Sequence, residues 1–130
     1  MKPRKLQQIV AILLAVTFVG VSMAERPSED RSIADYVLTG KVTAVYRRDH
    51  FDYANYIVEM RVESVTKGKN IKPGEIFRAY CFQRHPGQFS PGASGHDVVP
   101  KENSKVRVFV KRENGQNEGV YSDWVDVLKN

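Results

Sequence analysis

The protein has 130 residues, 42% of them hydrophobic, and carries 20 Lys and Arg residues against 15 Asp and Glu residues, a net charge of +5. This length suits one domain and argues against two. The single cysteine excludes an internal disulfide, so the fold must be stabilised by a hydrophobic core.

The first 24 residues have the pattern of a secretory signal peptide. Three basic residues lie within positions 2–5, an apolar run extends from Ile9 to Val21, and small residues stand at Ser22 and Ala24. The run is shorter than the roughly 20 residues that a membrane-spanning helix needs. We therefore expect a helical signal peptide at residues 1–24, cleavage after Ala24, no stable membrane anchor after cleavage, and a secreted or periplasmic protein.

Cleavage would remove much of the positive charge. The segment 1–24 holds three cations and no acidic residue, so the balance becomes 20 − 3 = 17 cations against 15 anions, or +2. A protein that binds nucleic acid needs a cationic stripe on the folded domain. The remaining charge gives little support for one, and no nucleic-acid partner is expected.

The rest of the chain predicts an all-β domain over residues 35–130. Residues 25–34 are charged and contain proline, which is typical of a flexible lead-in. Five runs then alternate between apolar and polar residues, as half-buried strands do. The runs are DYVLTGKVTAVYR, YIVEMRVE, EIFRAYCF, KVRVFVKR and VYSDWVDVL.

Details within these runs predict local features. Gly40 interrupts the first run, which indicates a bulge or a bend. The alternation of the third run places Cys81 on the same inward face as Phe77 and Ala79. The residues GQNEG at 115–119 are expected to form a turn, and the acidic residue beside Trp124 indicates a break in the last run.

The strand pattern resembles that of OB-fold barrels of the netrin-like kind. This group includes the tissue inhibitors of metalloproteinases and secreted bacterial proteins of unassigned role. The phrases Gly-Lys-Val at 40–42 and Val-Thr-Lys-Gly at 65–68 carry most of the resemblance. It implies a five-stranded antiparallel OB-like barrel with a long Gly/Pro-rich loop between strands 3 and 4.

The metalloproteinase inhibitors of that group act through a cysteine at the mature N-terminus. The mature chain expected here begins at Glu25 and has no such cysteine. The fold can be shared without that activity, because one scaffold commonly carries several functions.

Two segments are candidate binding surfaces. The polar and aromatic loop around residues 47–53 would flank the ligand face of an OB fold. The stretch 83–103 is long for a connection inside a compact domain, and such loops tend to be functional or disordered. The candidate contact residues are Arg47, Arg48, Phe51, Tyr53, His85, Phe89 and His96. The same composition is also usual for solvated turns.

A metal-binding or redox protein is the alternative. Cys81, His85 and His96 are residue types that bind copper or zinc. The inward position expected for Cys81 favours a second interpretation, a small buried apolar residue with the histidines in a solvated loop.

The sequence contains no clear set of catalytic residues. The sequence GASGH at 92–96 approaches a nucleophile elbow, but His96 stands where the second glycine belongs. The sequence therefore favours a non-catalytic domain without a cofactor that binds a protein or a cell-envelope polymer.

Overall fold

The computed structural model describes residues 26–87 and 93–129. Within these two ranges, a short 3-10 helix (Arg31–Ile33) precedes six strands. The strands are β1 (Tyr36–Asp49), β2 (Tyr53–Lys67), β3 (Ile76–Arg84), β4 (Lys105–Glu113), β5 (Gln116–Gly119) and β6 (Val125–Leu128). The predicted signal peptide and Phe89 lie outside the described residues. Within those two described ranges, no helix has the length and apolar character needed to cross a membrane.

The strands form one sheet that closes on itself. Its order is β1-β2-β3-β5-β4-β6, and β1 pairs with β4 as well as with β2. The ring therefore contains five strands, in the order β1, β2, β3, β5 and β4. The short strand β6 pairs with the same edge of β4 as β5 does, at residues 105–108. The predicted all-β, five-stranded barrel is confirmed, and its strand order is consistent with an OB-like barrel.

One pairing in the ring corrects the expectation of a wholly antiparallel barrel. β3 and β5 run parallel and pair at Tyr80 and Glu118, whereas the other neighbours in the ring are antiparallel. Strand direction alternates around an antiparallel ring, so a ring with an odd number of strands must contain one parallel pair. In this barrel that pair involves a single residue from each strand.

The core lies inside the barrel and follows the predicted alternation. Its fully buried side chains include Leu38, Val42, Val58, Met60, Val62, Val106, Val108, Val110, Val120 and Trp124. The inward face of β3 is confirmed, since Phe77, Ala79 and Cys81 are all buried. Burial, together with the nearby charge of Glu118, raises the pKa of the Cys81 thiol to about 12. The thiol is therefore protonated and unreactive at neutral pH.

The bulge predicted at Gly40 is confirmed. The register between β1 and β2 shifts between Thr39 and Gly40. A Cβ atom at position 40 would lie 2.1 Å from the carbonyl oxygen of Arg61, closer than any side chain permits. Glycine thus allows the two backbones to approach where β1 must bend for the sheet to close.

The end of the domain differs from the prediction. Of the residues expected to form a turn, 115–119, only Gly115 does so, and 116–119 are strand β5. The turn instead lies at Asn114 and Gly115, whose φ angles of 52° and 76° are typical of a two-residue hairpin turn. The expected last strand is strand only from Val125 onward, and the break beside Trp124 is confirmed.

The segment before β1, expected as a flexible lead-in, makes specific contacts with the barrel. The Arg31 guanidinium donates to both carboxylate oxygens of Asp126, at 3.0 and 2.9 Å. These bonds hold the pKa of the Asp126 carboxyl below its usual value. Glu29 pairs with Lys111 at 2.7 Å, and Ala34 is buried.

Candidate functional site

The β1–β2 turn and the end of β3 meet at one end of the barrel, which we call the hairpin end (residues 46–57 and 80–85). The backbone N–H of His50 donates to the carbonyl oxygen of Tyr53 at 2.7 Å and closes the turn. His85 then attaches the end of β3 to this turn. Its backbone N–H donates to the Asp52 carbonyl at 2.9 Å, and its Nε2 donates to the His50 carbonyl at 2.9 Å.

The outer face of the hairpin end carries aromatic and cationic side chains in rows. Residues that lie opposite each other on neighbouring strands project from the same face of a sheet. The rows are Tyr46, Ile57 and Tyr80, then Arg48, Asn55 and Phe82, then Tyr53 and Arg84. The intervening residues Ala54, Val58 and Cys81 are buried, which places the rows on the outside of the barrel.

Several of these side chains are held in place by their neighbours. The Tyr53 ring stacks on His50, with 5.1 Å between ring centroids, and meets Phe82 edge-on at 6.3 Å. The Tyr80 hydroxyl donates to the Asn55 side-chain oxygen at 2.5 Å. In contrast, Phe51 at the tip of the turn is 85% exposed. The surface therefore combines fixed aromatic rings with one ring left in water.

The charges of the hairpin end are only partly paired. Arg47 forms an ion pair with Asp49, with 2.8 Å between Nε and Oδ1, and its guanidinium lies 5.7 Å from the centre of the Tyr56 ring. Arg48 has no ion pair with any other residue of 26–87 or 93–129. Its charge, beside Phe82 and Asn55, is the one most available to an anionic group.

His96 lies in a different environment, because it is only 2% exposed. Its Nδ1 accepts a hydrogen bond from the Phe82 backbone N–H at 3.1 Å, which places the ring proton on Nε2. Nε2 donates to the Gly119 carbonyl at 2.8 Å. The rings of Phe82, Tyr121 and Trp124 meet the imidazole edge-on. With both nitrogens bonded inside the protein, His96 is not part of the candidate surface.

His96 is the centre of a closing seam, formed by residues 94–98 and 119–124. Across it, the Gly95 N–H donates to the Tyr121 hydroxyl at 3.1 Å, the Asp97 N–H to the Ser122 carbonyl at 2.9 Å, and the Trp124 indole N–H to the Val98 carbonyl at 2.8 Å.

The same segment also joins β3, where the Arg84 N–H donates to the Ser94 carbonyl and the His96 N–H to the Phe82 carbonyl. The seam thus fills the gap between β3 and β5, which pair at only one position. Sequence alternation could not reveal it, because these residues are not periodic.

The residues of the metal alternative are not brought together as a ligand set. Cys81 lies in the core, His96 uses both ring nitrogens within the seam, and His85 is bonded to the turn at the surface. In the described parts of the chain, no group of three or more His, Cys, Asp or Glu side chains is arranged to hold a metal ion.

The predicted contact residues thus separate into two sets. Arg47, Arg48, Phe51, Tyr53 and His85 lie together at the hairpin end, whereas His96 lies inside the seam. Comparison of the chain with protein-family models, with curated proteins and with solved structures found no match.

Proposed function

We propose that this protein is an exported, non-catalytic binding domain whose hairpin end holds an extended segment of a cell-envelope polymer. The observation that carries the proposal is the outer face of β1, β2 and β3, where Arg48 and Arg84 lie among aromatic side chains next to the exposed ring of Phe51. Export is supported by the signal-peptide pattern of residues 1–24.

The aromatic side chains would supply most of the affinity. The Phe51 ring is exposed to water. Covering such a ring with a ligand makes the binding free energy more favourable by about 25 cal/mol for each Å² of apolar surface removed from water. Tyr46 and Tyr53 are also exposed, and their rings present flat faces on which sugar rings or other planar groups can stack. In interfaces between proteins, tyrosine, tryptophan and arginine are the residue types enriched where truncation costs most binding energy.

The geometry favours an extended ligand over a compact one. Neighbouring strands lie about 4.8 Å apart, so a chain that crosses β1, β2 and β3 meets a new side chain at each strand. Such a path passes Arg48 and Phe82 in one row and Tyr46 and Tyr80 in the next. The corresponding face of OB folds binds oligosaccharides and other linear ligands, and Arg48 would favour an anionic polymer.

The barrel supports part of the resemblance drawn from sequence. Gly40 lies at the bulge of β1, and Val65 to Gly68 cover the end of β2 and the start of the following turn. Membership of the netrin-like group remains a proposal. Metalloproteinase inhibition is not proposed, because the expected mature terminus at Glu25 lacks the cysteine on which that activity depends.

A binding assay with two matched double variants tests the proposal. Arg48→Gln with Phe51→Ser removes one cation and one exposed ring from the hairpin end. Lys101→Gln with Val127→Ser removes one cation and one exposed apolar side chain elsewhere on the protein. Each protein is incubated with insoluble envelope material and separated by sedimentation.

We expect the hairpin-end variant to bind at least tenfold more weakly, a loss of about 1.4 kcal/mol, and the control variant to bind like the parent. Equal binding by the two variants would place the surface elsewhere. Binding that survives protease treatment of the envelope but not glycan digestion identifies a polymer, and the reverse pattern identifies a protein partner. Circular dichroism checks that both variants are folded.

A further inference from the structure

A pocket of about 500 Å³ lies at the end of the barrel opposite the hairpin end. It is lined by Asp35, Tyr36, Lys67, Gly68, Lys69 and Arg112. These residues lie at or next to the start of β1, the end of β2 and the end of β4. The hairpin end is formed by the other ends of β1 and β2. The volume is within the range of pockets that bind small organic molecules, roughly 300 to 1,000 Å³.

The charge of the pocket lining is positive and largely unpaired. The lining holds three cations and one carboxylate, a net charge of 3 − 1 = +2. The carboxylate of Asp35 accepts a hydrogen bond from the Arg112 backbone N–H at 2.7 Å. The Arg112 guanidinium donates to the neutral side chain of Asn117 at 3.0 Å. Lys67 and Lys69 are exposed and form no ion pair within the described chain.

One wall of the pocket is a fixed aromatic ring. The Tyr36 ring packs against Phe77, with 5.1 Å between the ring centroids. Gly68 lies directly against Tyr36, since a Cβ atom at position 68 would be 2.8 Å from the ring, and its φ of 144° is one that other residues rarely adopt. Glycine therefore lets the turn after β2 approach the ring, which sets Lys67 and Lys69 beside an aromatic wall.

We propose that this pocket binds a ring compound that carries a phosphate, sulfate or carboxylate group. The anionic group would lie among Lys67, Lys69 and Arg112, because lysine ammonium and arginine guanidinium groups form strong charge-assisted hydrogen bonds with such anions. The ring of the ligand would lie near Tyr36. The same chemistry is offered by a free acidic or phosphorylated sugar and by the units of an acidic polysaccharide. This proposal does not depend on the function assigned to the hairpin end.

The test compares four probes and two double variants. The probes are galactose 6-phosphate, galacturonate, neutral galactose and polygalacturonate, with binding followed by calorimetry at low salt. Lys67→Gln with Lys69→Gln removes two cations from the pocket. Lys72→Gln with Lys101→Gln removes two exposed cations elsewhere, so both variants have the same net charge.

We expect at least one anionic probe to bind the parent protein, with at least tenfold weaker binding to the pocket variant and unchanged binding to the control. Galactose should not bind. Binding of galactose 6-phosphate or galacturonate indicates that the ligand is a free small molecule. Binding of polygalacturonate alone indicates that the ligand is a polymer. Either result supports the proposed pocket. Equal weakening in both variants would show a general charge effect and would overturn the proposal. The proposal would also be overturned if no anionic probe bound at about 10 mM, a concentration at which even a site with a millimolar Kd is mostly occupied.

Discussion

The closing seam and the hairpin end are built from the same kinds of residue, yet they differ in what those residues contact. His96 in the seam is buried and has both ring nitrogens bonded, whereas the His85 side chain at the hairpin end remains 23% exposed. Trp124 is fully buried, whereas Phe51 is almost fully exposed. The comparison shows that histidines and aromatic residues stabilise the fold where the protein satisfies their polar atoms and covers their rings. Where it does not, they remain available to a ligand.

Replacement of Trp124 by alanine should have the largest effect. The Trp124 ring fills the barrel against Gly119, where a Cβ atom would lie 2.5 Å from it, and its indole N–H is bonded to Val98. Removing a buried tryptophan costs about 3–5 kcal/mol. Phe51→Ala should change the free energy of unfolding by less than about 0.5 kcal/mol, as an exposed substitution does. Denaturant titration measures both, and similar losses would show that the two regions do not differ as described.

Replacement of His96 by alanine should have the next largest effect. The change leaves the Phe82 N–H and the Gly119 carbonyl without their partner in a buried position, and each such group costs about 1–3 kcal/mol. We expect a loss of at least about 2 kcal/mol in the free energy of unfolding. Amide hydrogen exchange should also become faster at Phe82, next to the gap between β3 and β5. Unchanged stability would mean that the seam does not depend on the imidazole.

Replacement of His85 by alanine should have a smaller effect than either Trp124→Ala or His96→Ala. It removes the hydrogen bond from Nε2 to the His50 carbonyl, but it retains the backbone bond to Asp52. A partly exposed hydrogen bond contributes about 0.5–1.5 kcal/mol, so we expect a loss near the lower limit. Faster hydrogen exchange confined to the β1–β2 turn would support the role of His85 as an attachment. A loss as large as that of His96→Ala would remove the contrast between the two histidines.

Much of the barrel could be predicted from local sequence. The alternation of apolar and polar residues located the long strands, because each has one face in the core and one in water. The same alternation placed Cys81 inward. Gly40 predicted the bulge, since only glycine can occupy a position where two backbones approach so closely. The sequence places Arg48 and Phe51 in one candidate segment and His85 in another, and the pairing of β1, β2 and β3 is what brings them together.

The seam could not be predicted in this way. Its hydrogen bonds join residues 94–98 to residues 119–124, and they form only after β3, β4 and β5 are in place. His96 therefore looked like a solvated loop residue. The short strand β5 was missed for another reason, since its polar residues show no alternation. The Asn114-Gly115 pair before it is a strong hairpin signal, and it would have placed the turn correctly.

The barrel closes late in the order of synthesis. β1, β2 and β3 are contiguous and can pair as soon as they are made, but the edge of β3 must wait for Gly95 and Glu118. Until β4 and residues 119–124 are also made, the apolar side of the curved sheet, including Leu38, Val58 and Cys81, lacks part of its cover. Exposed apolar surface and unpaired strand edges make partly folded chains prone to aggregate. A nascent polypeptide that stops short of Trp124 is therefore expected to aggregate more readily than the complete domain.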